Sequence, residues 1–291
     1  NNYGGYLDAG LFCSLKNATV ENLVIDSSCS FNWFSAGALS VSVTGSLTVK
    51  NITNYANVNG GSAGGFIGYV QNLKQGTVIS FENCVNHGSV TGSLFEAGGF
   101  IGDIQSSTSM FMSISNSVNN GKIQNGWEVG GFVGWIYKNT NLTITISNSI
   151  NNGVVTGGRD YCGGIVGCIR DNTNMTMTIS SSISNANVSG SSDYVGGLAG
   201  CIWNNANMTI TISNSINNGN VTGSHWSVGG LIGHISSNTN VTISISNSTN
   251  NGNVTGSSDY AGGFVGYIYS SSDSLSIILG IMNSANKGNV S

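Results

Sequence analysis

The chain has 291 residues, 43 of them glycine and none proline, with 7% charged residues and a net charge of −4. Eight Lys plus Arg provide no basic stripe to neutralise phosphates, which excludes nucleic acid as a partner and leaves an anionic membrane surface equally unsupported. No apolar run approaches the roughly 18 residues of a membrane span, and no signal peptide stands at Asn1, so the sequence reads as a mature or internal fragment without membrane insertion.

In chain order, the first apolar phrase starts at Ala9-Gly10 and the second at Ala36-Gly37, with Cys13 and Ser40 where later copies have a third glycine. The full phrase is GGFIGYV at Gly64, and it returns at Gly98, Gly130, Gly163, Gly196, Gly229 and Gly262, at intervals of 32 to 34 residues. A fixed period of this length marks a repeat architecture in which each unit buries its apolar face against its neighbours. Low-complexity coil does not require such periodic placement of apolar residues. The expectation is one domain over residues 1–291, with about nine coils starting near 10, 37, 64, 98, 130, 163, 196, 229 and 262.

The wording of these copies, GLFC with the continuation NATVENL in the first, GGLAG at Gly196 and GGLIG at Gly229, resembles the GLUG repeat. The resemblance implies an all-β, right-handed parallel β-solenoid in an extracellular or surface protein of adhesin type and does not imply a catalytic activity; no cofactor is expected. Cys13 departs from the family pattern at the third glycine, and GALSVS from Gly37 departs further.

Within a copy, Leu231, Gly233 and Ile235 share one parity and are assigned inward, whereas the alternate column holds Tyr69, Asp103, Trp135, Cys168, Cys201, His234 and Tyr267. That mixture predicts an outward, freely varying position. The next strand alternates strictly, as in NMTITISNS from Asn207, and a short third strand is marked by Val58, Val90, Ile123, Val155, Val188, Val221, Val254 and Val290. Carried on by the same alternation, Asn51, Asn83, Asn116, Asn148, Asn214, Asn247 and Asn283 fall inward. Identical amides one coil apart, about 4.8 Å, would bond to one another, giving an internal ladder joined by Asn22 and interrupted at Ser181. Exposed turn asparagines are the alternative.

Residue types that carry chemistry are sparse. His87, His225 and His234 occupy different repeat positions and form no constellation. Asp160, Asp193 and Asp259 recur before the double glycine, where stacked carboxylates would bind a cation or serve a polysaccharide-cleaving β-helix enzyme, but Asp is also a common turn residue. The expectation is therefore no enzyme. The Thr pairs 143/145, 176/178 and 209/211 resemble ice-binding solenoids, and Tyr161, Tyr194 and Tyr260 would form a glycan-stacking stripe at a coil edge.

Eleven N-x-S/T sequons are present. Asn17, Asn141, Asn174, Asn187, Asn207, Asn220, Asn240, Asn253 and Asn289 are expected to carry N-glycans, while Asn51 and Asn247, placed on the internal ladder, are expected bare. Cys168 and Cys201 share one position of consecutive copies, so a disulfide between them is expected, and with it an oxidising compartment. Cys13 with Cys29 is possible, and Cys84 and Cys162 have no matched partner. The repeat runs to both termini without an evident cap, which predicts head-to-tail docking into a fibre. The combined expectation is an extracellular structural or adhesive glycoprotein, with polysaccharide-binding or polysaccharide-cleaving and ice-binding alternatives.

Overall fold

A computed structural model describes residues 8–191, 193–257, 260–270 and 276–291, so Asp259 lies outside the described residues. Every regular element among them is a β-strand, and every strand pairing is parallel: one 15-stranded sheet and three nine-stranded sheets wind into a β-solenoid. One coil shows the plan. Ile123–Gln124 and Glu128–Gly130 both belong to the 15-stranded sheet, Val133–Tyr137 to the second sheet, Thr143–Ser147 to the third and Ile150–Asn151 to the fourth.

Identical positions stack coil on coil. Leu47, Ile79, Met112, Ile144, Met177, Ile210, Ile243 and Leu279 form one unbroken register, as the strict alternation requires. Phe66, Phe100 and Phe132 form another column inside, with ring centroids 4.8 and 4.9 Å apart, and all three are fully buried. The double glycine is demanded by close backbone approach at a corner. A Cβ on Gly98 would sit 1.9 Å from the Ile101 carbonyl oxygen, and one on Gly99 would sit 2.1 Å from the Gly131 carbonyl oxygen.

The internal asparagine ladder is real but is built three residues downstream of the expected positions. Asn51, Asn83, Asn116, Asn148, Asn214, Asn247 and Asn283 are all exposed, with φ between 48° and 55°. They turn the corner after the third sheet in the left-handed conformation that Asn tolerates. A left-handed residue resets the alternation, so the inward parity resumes on the next residue and not on the asparagine itself. The buried columns are Ser117, Ser149, Ser182, Ser215 and Ser248, then Asn54, Asn86, Asn119, Asn151, Asn217 and Asn250. In the second column each Nδ2 donates to the next coil's Oδ1 at 2.8 Å, from Asn54 through Asn151 and from Asn217 through Asn250 to Asn286. Ser184 breaks this ladder, not Ser181, and leaves its own Oγ and the Asn217 Oδ1 without partners. A further buried ladder, Asn139, Asn172, Asn205 and Asn238, lines the corner between the second and third sheets, with amide contacts of 3.0 to 3.1 Å.

Candidate functional site

The double glycine bends each coil so that the strand before it and the strand after it face one another across a concave corner. Two columns of side chains meet there. The first runs Glu96, Glu128, Tyr161, Tyr194, Ser227 and Tyr260 in register. The second is the supposedly free column Tyr69, Asp103, Trp135, Cys168, Cys201, His234 and Tyr267. The column lies on the outer side, but its expected freedom needs correction: Asp103, Cys168, Cys201 and His234 are buried, and the other three are half-buried, because the first column overhangs the second.

From the sixth coil onward the corner is filled. Tyr161 stacks on Tyr194 at 5.4 Å, Tyr194 on His234 at 3.8 Å and His234 on Tyr267 at 5.4 Å. His234 is held between the Ser227 and Ser236 hydroxyls, and burial pushes its pKa down to about 4, so the ring is neutral at pH 7. Tyr161, Cys168 and Cys201 pack together under Trp135, Tyr194 and Trp203. The stripe imagined from Tyr161, Tyr194 and Tyr260 is thus mostly internal packing, with Tyr260 alone exposed.

Toward the N-terminal coils the same corner is open, because the overhanging first column loses its tyrosines: Ser35, Ser62, Glu96 and Glu128 face Tyr69, Asp103 and Trp135. The result is a cavity of about 840 Å³, within the usual range of about 300–1,000 Å³ for small-ligand sites. Five of the chain's 12 acidic residues line it: Asp8, Glu96, Asp103, Glu128 and Asp160. One wall is aromatic, with Phe34 edge-on to Phe95 at 6.1 Å, Phe95 edge-on to Trp127 at 5.7 Å, and the Arg159 guanidinium 5.3 Å above Trp127. The other presents Gln71, Gln105 and Arg170, with Trp135 stacked on Tyr137 at 4.1 Å.

Burial sets the protonation of the floor. Glu128 is pushed up to about 8 by desolvation, then by the charges of Glu96 and Asp160, against the opposing pull of Arg170. Desolvation raises Asp103 well above the ordinary carboxylate range, and the Glu96 charge adds to it. Glu96 rises to about 7, also by desolvation, and is moderated by the hydrogen bond that the Ser62 hydroxyl donates to it at 2.5 Å. At neutral pH the floor therefore carries protonated acids beside one carboxyl near its midpoint. Two buried polar atoms on the floor have no hydrogen-bond partner, Asp103 Oδ1 and Trp135 Nε1 of two register neighbours, and a third lines the wall, Arg170 Nε, whose ion-pair partner Asp171 lies 3.4 Å away.

The remaining sequence-derived residues lie elsewhere. Asn17, Asn141, Asn174, Asn187, Asn207, Asn220, Asn240, Asn253 and Asn289 are all exposed, as are Asn51 and Asn247, whose exclusion from glycosylation loses its basis. Along one corner Asn174, Asn207 and Asn240 each donate to the preceding coil's amide, at 3.1, 3.2 and 2.9 Å. Cys168 and Cys201 are adjacent in register, fully buried and unbonded, which corrects the expected disulfide. In-register parallel neighbours keep their Cβ atoms near the strand spacing of about 4.8 Å, beyond the mean of about 3.8 Å that a disulfide adopts. Cys13 and Cys29 are exposed and free, and Cys84 and Cys162 are buried and free. Asp160 and Asp193 occupy successive coils, but among the described residues no group of His, Cys, Asp and Glu is arranged to hold a metal ion. The Thr pairs 143/145, 176/178 and 209/211 form in-register rows on the third sheet.

The groove was not read from the sequence. Its signal was the pair Glu96 and Glu128, two residues before the double glycine, where later copies carry Tyr161, Tyr194 and Tyr260. In a chain so poor in charge, a run of acids at one repeat position marks a place where packing has been given up.

No helix among the described residues is long and apolar enough to cross a membrane. No family model matches this sequence, and no curated protein matches it. Among solved structures, a crystal structure described as a putative immunoglobulin A1 protease from Bacteroides ovatus is similar at 15% identity and a TM-score of 0.40, covering 91% of this chain and 84% of that one, a likeness too slight to bear on what this chain does.

Proposed function

We propose that this chain is an adhesive and structural element of a secreted or surface repeat protein, and that it makes its specific contact through the groove over Glu96, Asp103 and Glu128. The observation that supports this reading is the groove itself. A solenoid that served only as a spacer would fill this corner, as coils six to nine do, whereas the open stretch leaves Asp103 Oδ1 and Trp135 Nε1 unpaired. Each unpaired buried polar atom costs about 1–3 kcal/mol, a penalty that a bound partner removes. The resemblance of GGLAG and GGLIG to the GLUG repeat supports a surface location, and the exposed sequons supply acceptors for N-glycans on a secreted chain. Self-association belongs to the same proposal, since each coil is a parallel, in-register template for another.

The test is adhesion of chain-coated microspheres to intact cells and to extracellular matrix. Trp127, 37% exposed on the groove wall, is replaced by alanine, and in a second variant Asp103→Ala removes the floor carboxyl. Adhesion by the wild type that falls at least tenfold in both variants supports the reading. Adhesion that is unchanged in both overturns it.

A further inference from the structure

The identity of the ligand follows from three features of the groove, and the argument rests on the groove being the contact site. The first is the pair of unpartnered atoms. Trp135 Nε1 can only donate a hydrogen bond, and the Asp103 carboxyl oxygen beside it lacks a partner as well. An ammonium group only donates, and a phosphate, sulfate or ionised carboxylate only accepts. A hydroxyl does both. Gln71 and Gln105, the latter bonded to the Asp103 carboxyl, add amides that both donate and accept along the groove.

The second feature is charge. Burial holds Asp103 and Glu128 protonated at neutral pH, so the floor offers neither an anion nor a cation a full opposite charge, and an ionic ligand would lose its hydration there without compensation. The third is shape and repeat. The cavity extends across successive coils along the solenoid axis, flanked by the faces and edges of Phe95, Trp127, Trp135 and Tyr161. The in-register pairs Glu96 with Glu128 and Gln71 with Gln105 repeat at the strand spacing of about 4.8 Å, close to the roughly 5 Å by which a pyranose chain advances per unit, whereas an extended peptide advances about 3.4 Å per residue and falls out of step. Pyranose rings also offer apolar C–H faces to aromatic side chains.

We propose that the groove is a binding site for an uncharged oligosaccharide, laid along the solenoid axis with its ring faces against Trp127 and Trp135 and its hydroxyls on Asp103, Glu128 and the Trp135 indole N–H.

The experiment uses the full chain and a panel of soluble probes: gluco-, manno-, xylo- and chito-oligosaccharides as neutral chains, alginate and heparin fragments as anionic chains, and spermidine and an oligolysine peptide as cations. Binding is read by calorimetry and by tryptophan fluorescence. At least one neutral chain is expected to bind, with affinity rising with length to about four units, at least tenfold above any anionic chain. Trp127→Ala and Asp103→Ala should each lower that affinity at least tenfold while leaving the far-ultraviolet spectrum unchanged. Binding only of cations, only of anionic chains, or of no saccharide at millimolar concentration overturns the inference, as does saccharide binding indifferent to both substitutions. The two readings fail separately. Groove-dependent adhesion that no saccharide competes refutes the ligand class and leaves the groove as contact site, whereas saccharide binding without groove-dependent adhesion refutes the adhesive function and leaves the ligand class standing.

Discussion

Replacing Glu128 by glutamine tests the electrostatics of the groove floor without altering its shape. In the unfolded chain Glu128 ionises near its ordinary 4.5, and in the folded chain it holds its proton up to about 8, chiefly through burial. Between those values the folded state binds the extra proton, so stability falls as pH rises and is highest below 4.5, where both states are protonated. At about 1.4 kcal/mol per tenfold, ionising the group in the folded chain costs up to about 5 kcal/mol by pH 9, less whatever the groove recovers by admitting water. Glu128→Gln removes that term. The variant is expected to match the wild type within about 1 kcal/mol at pH 5 and to exceed it by about 2–5 kcal/mol at pH 9. Guanidinium denaturation at pH 5, 7 and 9, followed by far-ultraviolet circular dichroism, measures the difference. An effect of the same size at pH 5 and pH 9, or a wild type more stable at pH 9 than at pH 5, would refute the claim that a buried, protonated carboxyl sits there.

Two further predictions concern the scaffold. Asn119→Ala cuts the inner ladder on both sides and should destabilise by about 2–4 kcal/mol, whereas Asn116→Ala, at an exposed left-handed corner, should cost about 1 kcal/mol. Conversely Ser184→Asn should stabilise by about 1–2 kcal/mol by supplying the missing rung, and denaturation midpoints in the reverse order would refute the assignment of the inner column. Gly131→Ala drives a Cβ to 2.1 Å from the Gly164 carbonyl oxygen and should abolish soluble expression, while Gly280→Ala, with no atom within 4 Å, should leave yield and melting unchanged.

How much of this the sequence discloses depends on what kind of regularity carries it. Period and strand alternation give the coil count and the register from Leu47 to Leu279, because a parallel solenoid repeats its backbone as it repeats its sequence. Alternation fails at Asn51 and its equivalents, where a positive φ restarts the parity and moves the buried amides to Asn54, Asn86 and Asn119. A rule that counts in twos cannot see a residue that turns the other way. The exposed column failed for a different reason. Tyr69, Asp103 and Trp135 do lie on the outer side of the backbone, but the bend at the double glycine folds a second outer column over them, and one-dimensional parity contains no information about concavity. Cys168 and Cys201 show the same limit: their alignment was legible, yet the parallel register that aligns them also holds their Cβ atoms apart.

The stacking of like on like gives the groove an unusual route to change. Each coil touches only the coils on either side, and the residues that shape the corner in one coil sit at fixed offsets from its double glycine. An unequal crossover that duplicated the segment from Gly98 to Val129 would insert one more coil carrying Trp127 and Glu128, displacing the downstream coils along the axis by about 4.8 Å without rewriting their contacts. The cavity would then lengthen by one step. A gene encoding such a chain can therefore alter the reach of its groove by copy number, with no new side chain required, and lineages that differ only in how many times this segment is repeated would differ in the length of ligand they accommodate.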